Sequence, residues 1–332
     1  MGNPTTPARK TVIITGGSIG LGFHAARHIA GHYPGWHIII ANRTASAAQD
    51  AIAKIKAQSP NASIEAMTLD LGSLTSVRAF AAQLIARQLP PIHALVCNAG
   101  LQLVSDQRSA DGYELTFAIN HLGHYLLTQL LLPHMAAPAR IINVSSGTHF
   151  ASAEAGADKG GMPDPGYTTA QDAACPPPAS GDPQFIGRQR YSTSKLCNVW
   201  HTYELVRRLE HSNGSLPQPI TVNAFDPGLM PGTGLARDYA PPVRWIWENV
   251  LPRVPALTRM MFGAAPMSVS VSGANLARLA VDPAWAGVTG KYVQGDKAVP
   301  SSPASYDEAK AHELWESSKG LVRLTAAETA IA

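Results

Sequence analysis

The sequence predicts an α/β fold: one parallel sheet, doubly wound, with helices on both faces in three layers. Three observations carry the prediction. Short apolar strands alternate with Ala-rich helical runs over residues 10–225. The strands are near-continuous Val/Ile/Leu runs, the pattern of strands buried on both faces. The first strand ends in a glycine-rich turn that leads straight into a helix. Such alternation gives right-handed crossovers and a Rossmann-type topology.

The elements follow in order. TVIIT (11–15) reads as a strand and LGFHAARHIAGHY as a helix; WHIIIA (36–41) is a strand and 45–58 a helix. SIEAMTLD (63–70) is a strand, followed by the helical run SLTSVRAFAAQLIARQL. HALVCN (93–98) is a strand, and a long helix is expected over 112–136. ARIINVSS (139–146) is a strand, then a helix over 191–212 and the strand ITVNAF (220–225). No linker or repeat divides the chain, so residues 1–332 read as one domain with its core over 10–225.

Two segments break the alternation. Residues 147–189 carry Pro163, Pro165, Pro176, Pro177, Pro178 and Pro183 and read as a long insert: a lid, a binding loop or disorder. Residues 228–262 read as loops and helices on the substrate side. Within them, 241–262 holds Trp245, Ile246, Trp247 and Leu251 among a few Arg. A pocket wall, packing on the sheet edge and peripheral contact with a membrane surface all stay open for it.

Composition limits the function classes. Apolar residues make up 45% and charged residues 15% of the 332, an ordinary globular balance. The net charge of +3 comes with no dense Lys/Arg block, which argues against a nucleic-acid partner. Cys97, Cys175 and Cys197 are odd in number and far apart, which argues against a disulfide framework or a zinc site and for a reducing compartment. The polar start MGNPTTPARK does not read as a signal peptide, although it fits the loose myristoylation pattern at Gly2. The longest apolar run, Leu122–Met135, includes His124, Gln129 and His134 and is too short and polar to span a bilayer. A cytoplasmic protein is expected.

The turn Thr15-Gly16-Gly17-Ser18-Ile19-Gly20-Leu21-Gly22 carries the first chemistry. Glycines between strand and helix let backbone N–H groups approach a pyrophosphate at the helix N-terminus. At the end of the second strand an acid would bind the adenosine ribose of NAD. The chain instead reads Ala41-Asn42-Arg43-Thr44, and an Arg there accommodates a 2′-phosphate, so the cofactor expected is NADP(H). RYSTSK (190–195) sets Tyr191 and Lys195 four residues apart, on one face of the helix that it is expected to open. An ammonium beside a phenol favours the phenolate and lowers its pKa from about 10. A proton donor and acceptor for use near neutral pH results.

Thr15–Gly22, Asp70, Asn98-Ala99-Gly100, Asn120, Ser145-Ser146, Tyr191-xxx-Lys195 and Pro227-Gly228 occur in that order. As an ordered set they resemble the short-chain dehydrogenase/reductase family over about 10–295. WHIIIANR, LDLGSLTSVRAF, LVCNAG, NHLGHYLL, SKLCN, the 227–235 stretch and ELWESSKGLVRL look closer to the branch of light-dependent protochlorophyllide reductases and retinol-dehydrogenase-like enzymes. Two departures point away from the photoenzyme: Leu229 stands where those reductases carry a Cys, and Ala99-Gly100 where they carry Ala-Ala.

The resemblance implies catalytic Tyr191, Lys195, Ser146 and Asn120. Tyr191 gives its proton to a substrate carbonyl and takes it back in the oxidative direction. Lys195 tunes Tyr191 and binds the nicotinamide ribose. Ser146, with Ser145 as the alternative, orients the carbonyl oxygen, and Asn120 holds a relay water. For the cofactor it implies Thr15, Gly16, Ser18, Ile19, Gly20 and Gly22 at the phosphates, and Asp70 and Leu71 by the adenine. Asn98, Ala99 and Gly100 would line the ribose, and Pro227, Gly228 and Thr233 would hold the carboxamide. The expected activity is interconversion of a carbonyl and an alcohol on an apolar small molecule, with no metal. A protochlorophyllide reductase-like enzyme and a redox-silent NADP(H)-binding sensor are the alternatives. His121 and His124 read as packing or solvated, Cys197 as a buried structural thiol, and Asp226-Pro227 as a strand-to-loop turn. The family pairs subunits through its two long helices, here 112–136 and 191–212, but inserts can cover that face, so monomer and homodimer both stay open.

Overall fold

The computed structural model describes residues 9–154, 162–177, 180–212, 216, 219–230, 241–251, 253–254, 256 and 266–331. Gly2, Thr233, Pro178 and part of the 241–262 segment lie outside them. Among the described residues eight strands form one sheet in the order β3-β2-β1-β4-β5-β6-β7-β8. They are β1 (Lys10–Thr15), β2 (Trp36–Asn42), β3 (Ser63–Thr68), β4 (Ile92–Cys97), β5 (Met135–Val144), β6 (Ile220–Asp226), β7 (Lys291–Gln294) and β8 (Lys297–Val299). All pairings are parallel except β7 with β8.

The apolar runs are continuous because both faces of each central strand are buried. Val12, Ile14, Ile38, Ile40, Val96 and Ile142 pack on one face with α1 (Gly20–His32), α2 (Ala45–Gln58) and the helix Val269–Val281. Ile13, Ile39, Leu95, Ile141 and Val222 pack on the other, with Phe80 of α3 (Leu74–Ile85), Leu126, Trp200 and Trp315. The side chains alternate with the strand period of two, and three layers result.

Three sequence expectations change. The helix expected to open near Tyr191 begins at Pro183, so Tyr191 lies in its third turn, and the end of the 147–189 insert is helix. The Asp182 carboxylate accepts the N–H groups of Gln184 and Phe185 at 3.0 and 3.2 Å, and Pro183 takes the first helical position. The insert also holds a short helix, Ala170–Ala174. The expected helix over 112–136 is instead Leu115–Phe117, a π turn at Ala118–Leu122, α-helix again at Gly123–Leu131 and a 3-10 turn at Leu132–His134. β5 then starts at Met135, and the sheet continues past residue 225 through β7 and β8. In order, these helical pieces are α4 (Leu115–Phe117), α5 (Gly123–Leu131), α6 (Ala170–Ala174) and α7 (Pro183–Glu210). Among the described residues no helix is long and apolar enough to cross a membrane.

Candidate active site

Of the residues singled out by the sequence, those described follow the C-terminal ends of β1 to β6 or, for Asn120, Tyr191 and Lys195, sit on the helical segments beside them. At the end of β1, Gly16 (φ +65°) and Gly20 (φ +56°) adopt left-handed conformations that suit glycine. Gly22 serves close approach: a Cβ there would lie 2.5 Å from Asn98 Nδ2 and 2.7 Å from the Gly16 carbonyl oxygen. α1 follows with no side-chain cap and no acid in its first turn. By contrast α3, α7, Val269–Val281 and Glu308–Leu321 are capped by Ser73, Asp182, Ser268 and Asp307. The first N–H groups of α1 are therefore free to receive an anion. Ile19, next to them, is 68% exposed.

The neighbouring strand repeats the arrangement. Thr15 pairs with Ala41, and α2 also lacks a side-chain cap and a first-turn acid. Arg43, at its mouth, is exposed and makes no ion pair among the described residues. Asp70 lies two residues beyond β3, with Oδ1 accepting the Gly72 N–H at 2.9 Å. Leu71 is buried, its carbonyl oxygen against Gly123.

Asn98 and Ala99 are locked to the glycine turn. Both backbone N–H groups donate to Thr15 Oγ1 at 2.9 Å, and Asn98 Nδ2 donates to the carbonyl oxygens of Thr15 and Gly16 at 2.7 and 3.2 Å. His124 continues this lock. Its Nδ1 faces the Asn120 carbonyl at 3.3 Å and its Nε2 faces Thr15 Oγ1 at 2.8 Å. A carbonyl only accepts, so the network assigns the ring proton to Nδ1, and the single Thr15 hydroxyl proton is shared between Nε2 and the Val96 carbonyl, 3.3 Å from Oγ1. Burial pulls the His124 pKa down to about 3, so the ring is neutral. His121 is buried too, bonded to Ser318 Oγ at 2.9 Å, so neither ring is solvated.

Tyr191 and Lys195 are both buried in α7, with Nζ 5.4 Å from the Tyr191 ring centroid. Nζ donates to the Val144 carbonyl at 3.1 Å, an oxygen that also receives Asn198 Nδ2 at 3.0 Å. Burial pulls the Lys195 pKa down to about 8, and Asp226 pushes it back up. Asn120 occupies the π turn and clasps the loop after Gly100. Its Nδ2 donates to the Leu101 carbonyl at 2.9 Å and to Ser194 Oγ at 3.0 Å, while Oδ1 accepts the Leu101 N–H at 2.9 Å. A Cβ on Gly100 would lie 3.3 Å from Asn120 Oδ1 and 3.5 Å from Lys195 Nζ, so this loop runs beside both.

The two serines separate cleanly. Ser145 is buried and its hydroxyl donates to the Lys195 carbonyl at 2.8 Å. Ser146 is partly exposed and its Oγ accepts the Thr148 N–H at 3.3 Å, which leaves its own proton for another acceptor. His149 Nδ1 donates to the Ser146 carbonyl at 2.7 Å and steadies this turn. Pro227 and Gly228 follow β6, with Gly228 at φ +76°. Cys197 is fully buried and its thiol is pushed well up by burial, in keeping with a structural role.

Sequence reasoning missed Asp226 and Asn198. Asp226 is 2% exposed and accepts from Tyr292 OH (2.8 Å), Gln294 Nε2 (3.2 Å) and the Gly228 N–H (2.9 Å). The available signal was a carboxylate directly after the all-apolar end of a buried strand, where a charge is rare without partners.

The sheet order, the helices on both faces and the glycine turn after β1 define a Rossmann-type α/β protein. A family model described as short chain dehydrogenase matches residues 10–157. The WW domain-containing oxidoreductase of Danio rerio is 35% identical over 318 residues, covering 95% of this chain and 68% of that protein. Human polyprenol dehydrogenase is 32% identical over 324 residues, covering 95% and 86%. Among solved structures, an uncharacterized protein from Mycobacterium Paratuberculosis superimposes with a TM-score of 0.65 at 27% identity, over 95% of this chain and 94% of the other. The Pseudomonas aeruginosa RhlG/NADP active-site complex shares the fold, with a TM-score of 0.60 at 22% identity over 88% and 96%. The chain belongs to the short-chain dehydrogenase/reductase family of oxidoreductases.

Proposed function

We propose that this chain is an NADP(H)-dependent reductase or dehydrogenase that interconverts a carbonyl and an alcohol on an apolar small molecule. The observation that carries the reading is the buried Tyr191/Lys195 pair on α7, gathered with Asn120 and Ser146 at the sheet end that also bears the uncapped α1. In the reductive direction the Tyr191 hydroxyl donates its proton to the substrate oxygen. The Ser146 O–H donates to the same oxygen and stabilises the charge that develops on it. The Lys195 ammonium favours the phenolate that remains. Asn120 holds the 100–101 loop, and its carbonyl, anchored by His124, is the acceptor for a relay water.

NADP(H) would be held at its phosphates by Thr15, Gly16, Ser18, Ile19, Gly20 and Gly22, and at its 2′-phosphate by Arg43. Asp70 and Leu71 would flank the adenine, Asn98, Ala99 and Gly100 the ribose, and Pro227, Gly228 and Thr233 the carboxamide. When bound, its nicotinamide gives or takes the hydride. The uncapped N-termini of α1 and α2 and the unpaired Arg43 fit such a ligand. Neighbouring structures of the same fold in complex with NADP and NADPH support the choice. A relative named polyprenol dehydrogenase supports an apolar alcohol as substrate. The buried faces of α5 and α7, covered in part by Glu308–Leu321, support a monomer.

The test is NADPH consumption in the dark with apolar ketones, aldehydes and quinones, NADH in parallel and Tyr191→Phe as control. Turnover with NADPH that disappears in the variant is the expected result. Silence across the panel with NADPH still bound would overturn the reading and move the assay to protochlorophyllide under illumination.

A further inference from the structure

We infer that Asp226 is a positioning residue for the Tyr191/Lys195 pair: its buried carboxylate is the fixed counter-charge of the Lys195 ammonium. The inference rests on the proposed role of that pair. Asp226 follows Phe225, which pairs with Val144 across β5 and β6, and the Val144 carbonyl is the acceptor for Lys195 Nζ. Ala224, two residues earlier, packs with Val199 of α7 and with Tyr292, so the Asp226 side chain leaves the sheet on the α7 side. There it borders the Ser146 turn as well, since a Cβ on Gly147 would lie 3.5 Å from Asp226 Oδ2. Donors from Tyr292, Gln294 and Gly228 aim at its two oxygens and hold it as an acceptor.

The electrostatics agree with the geometry. Burial opposes the charge on Lys195, and Asp226 is the group that restores it. Other ionisable groups that border this spot are the Tyr191 phenol, neutral His124, the Tyr292 hydroxyl and His149, whose ring lies 4.7 Å from that of Tyr292. None of these is a standing anion. The same carboxylate also fixes Gly228, so one residue sets both the charge beside the proton donor and the turn expected at the carboxamide.

The test is an NMR titration of the Lys195 ε-carbon in protein labelled with [ε-13C]lysine, assigned with Lys195→Met. In Asp226→Asn the midpoint should fall by about one pH unit or more, because loss of a nearby anion disfavours the ammonium. Asp226→Glu should keep most of the wild-type value. Once a substrate is in hand, the alkaline limb of kcat/KM should fall with the midpoint. An unmoved midpoint in a folded Asp226→Asn protein overturns the inference. If Asn is not accommodated, Asp226→Ser takes the same reading. If only Asp226→Glu folds, the carboxylate serves the fold and the assignment to Lys195 is overturned. The titration needs no substrate, so a shifted midpoint in a protein that turns over nothing would count against the proposed activity alone.

Discussion

Lys195 donates from Nζ to the carbonyl oxygen of Val144 at 3.1 Å, which ties its buried ammonium to the last residue of β5. Lysine, a residue found mostly at the surface, is here a fixed charge beside Tyr191. Holding a cation out of water lowers stability, and the cost is open to measurement.

Lys195→Met should abolish turnover and flatten the pH dependence of stability above neutral pH. Burial brings the folded-state pKa to about 8, below the free-lysine value of 10.5. Above pH 8 the folded protein has released this proton while the unfolded chain still holds it. Wild-type stability should therefore climb between pH 8 and 10.5, by up to about 1.4 kcal/mol per pH unit. The whole effect amounts to roughly 3 kcal/mol at most. Urea unfolding of both proteins at pH 7 to 10 checks this. A wild-type curve parallel to that of Lys195→Met across the range would contradict it.

Arg43→Ala should lower affinity for NADPH by about ten- to a hundredfold and leave NADH nearly unchanged, since a charge-assisted contact to phosphate is worth about 1.5–3 kcal/mol. Fluorescence titration with each cofactor reads the difference. An equal loss for both would show that Arg43 serves the turn rather than the 2′-phosphate.

The strands were legible because burial on both faces writes itself into sequence as unbroken Val/Ile/Leu runs, as in TVIIT and WHIIIA. The start of α7 was legible in principle, since Asp182-Pro183 is a cap followed by a first-position proline, but the prolines around it hid the signal. The strands at 291–294 and 297–299 are too short for any period to show, and only Gly295-Asp296, with Gly295 at φ +62°, marks their turn. The π turn at Asn120 and the placing of Asp226 on the α7 side of the sheet left no local trace. Both follow from which strands and helices become neighbours, and spacing along the chain does not encode that.

Gly20 and Gly22 should respond differently to alanine. A Cβ on Gly20 meets nothing within 4 Å, so only its φ of +56° is strained, at a cost of roughly 1–2 kcal/mol. A Cβ on Gly22 would collide with Asn98 and Gly16, the two walls of the turn. Gly22→Ala should lose NADPH binding outright and Gly20→Ala should only weaken it. Calorimetric titration with NADPH, with a melting curve for each variant, separates the two. Equal losses would mean that backbone strain rather than close packing governs the turn.

Asn120 should prove as important for stability as for turnover. Its amide satisfies both the N–H and the carbonyl of half-buried Leu101 and also donates to the buried Ser194 Oγ. Asn120→Ala leaves the two backbone groups without their partner, at about 1–3 kcal/mol for each group that stays unsatisfied. Asn120→Asp keeps an acceptor for the Leu101 N–H but loses both donors and sets a carboxylate against the Leu101 carbonyl, so it should be no better. Denaturant unfolding of the two variants should show midpoints well below that of wild type, with the slope unchanged. A variant with wild-type stability and lost turnover would confine Asn120 to the water relay and refute its role as the clasp of the 100–101 loop.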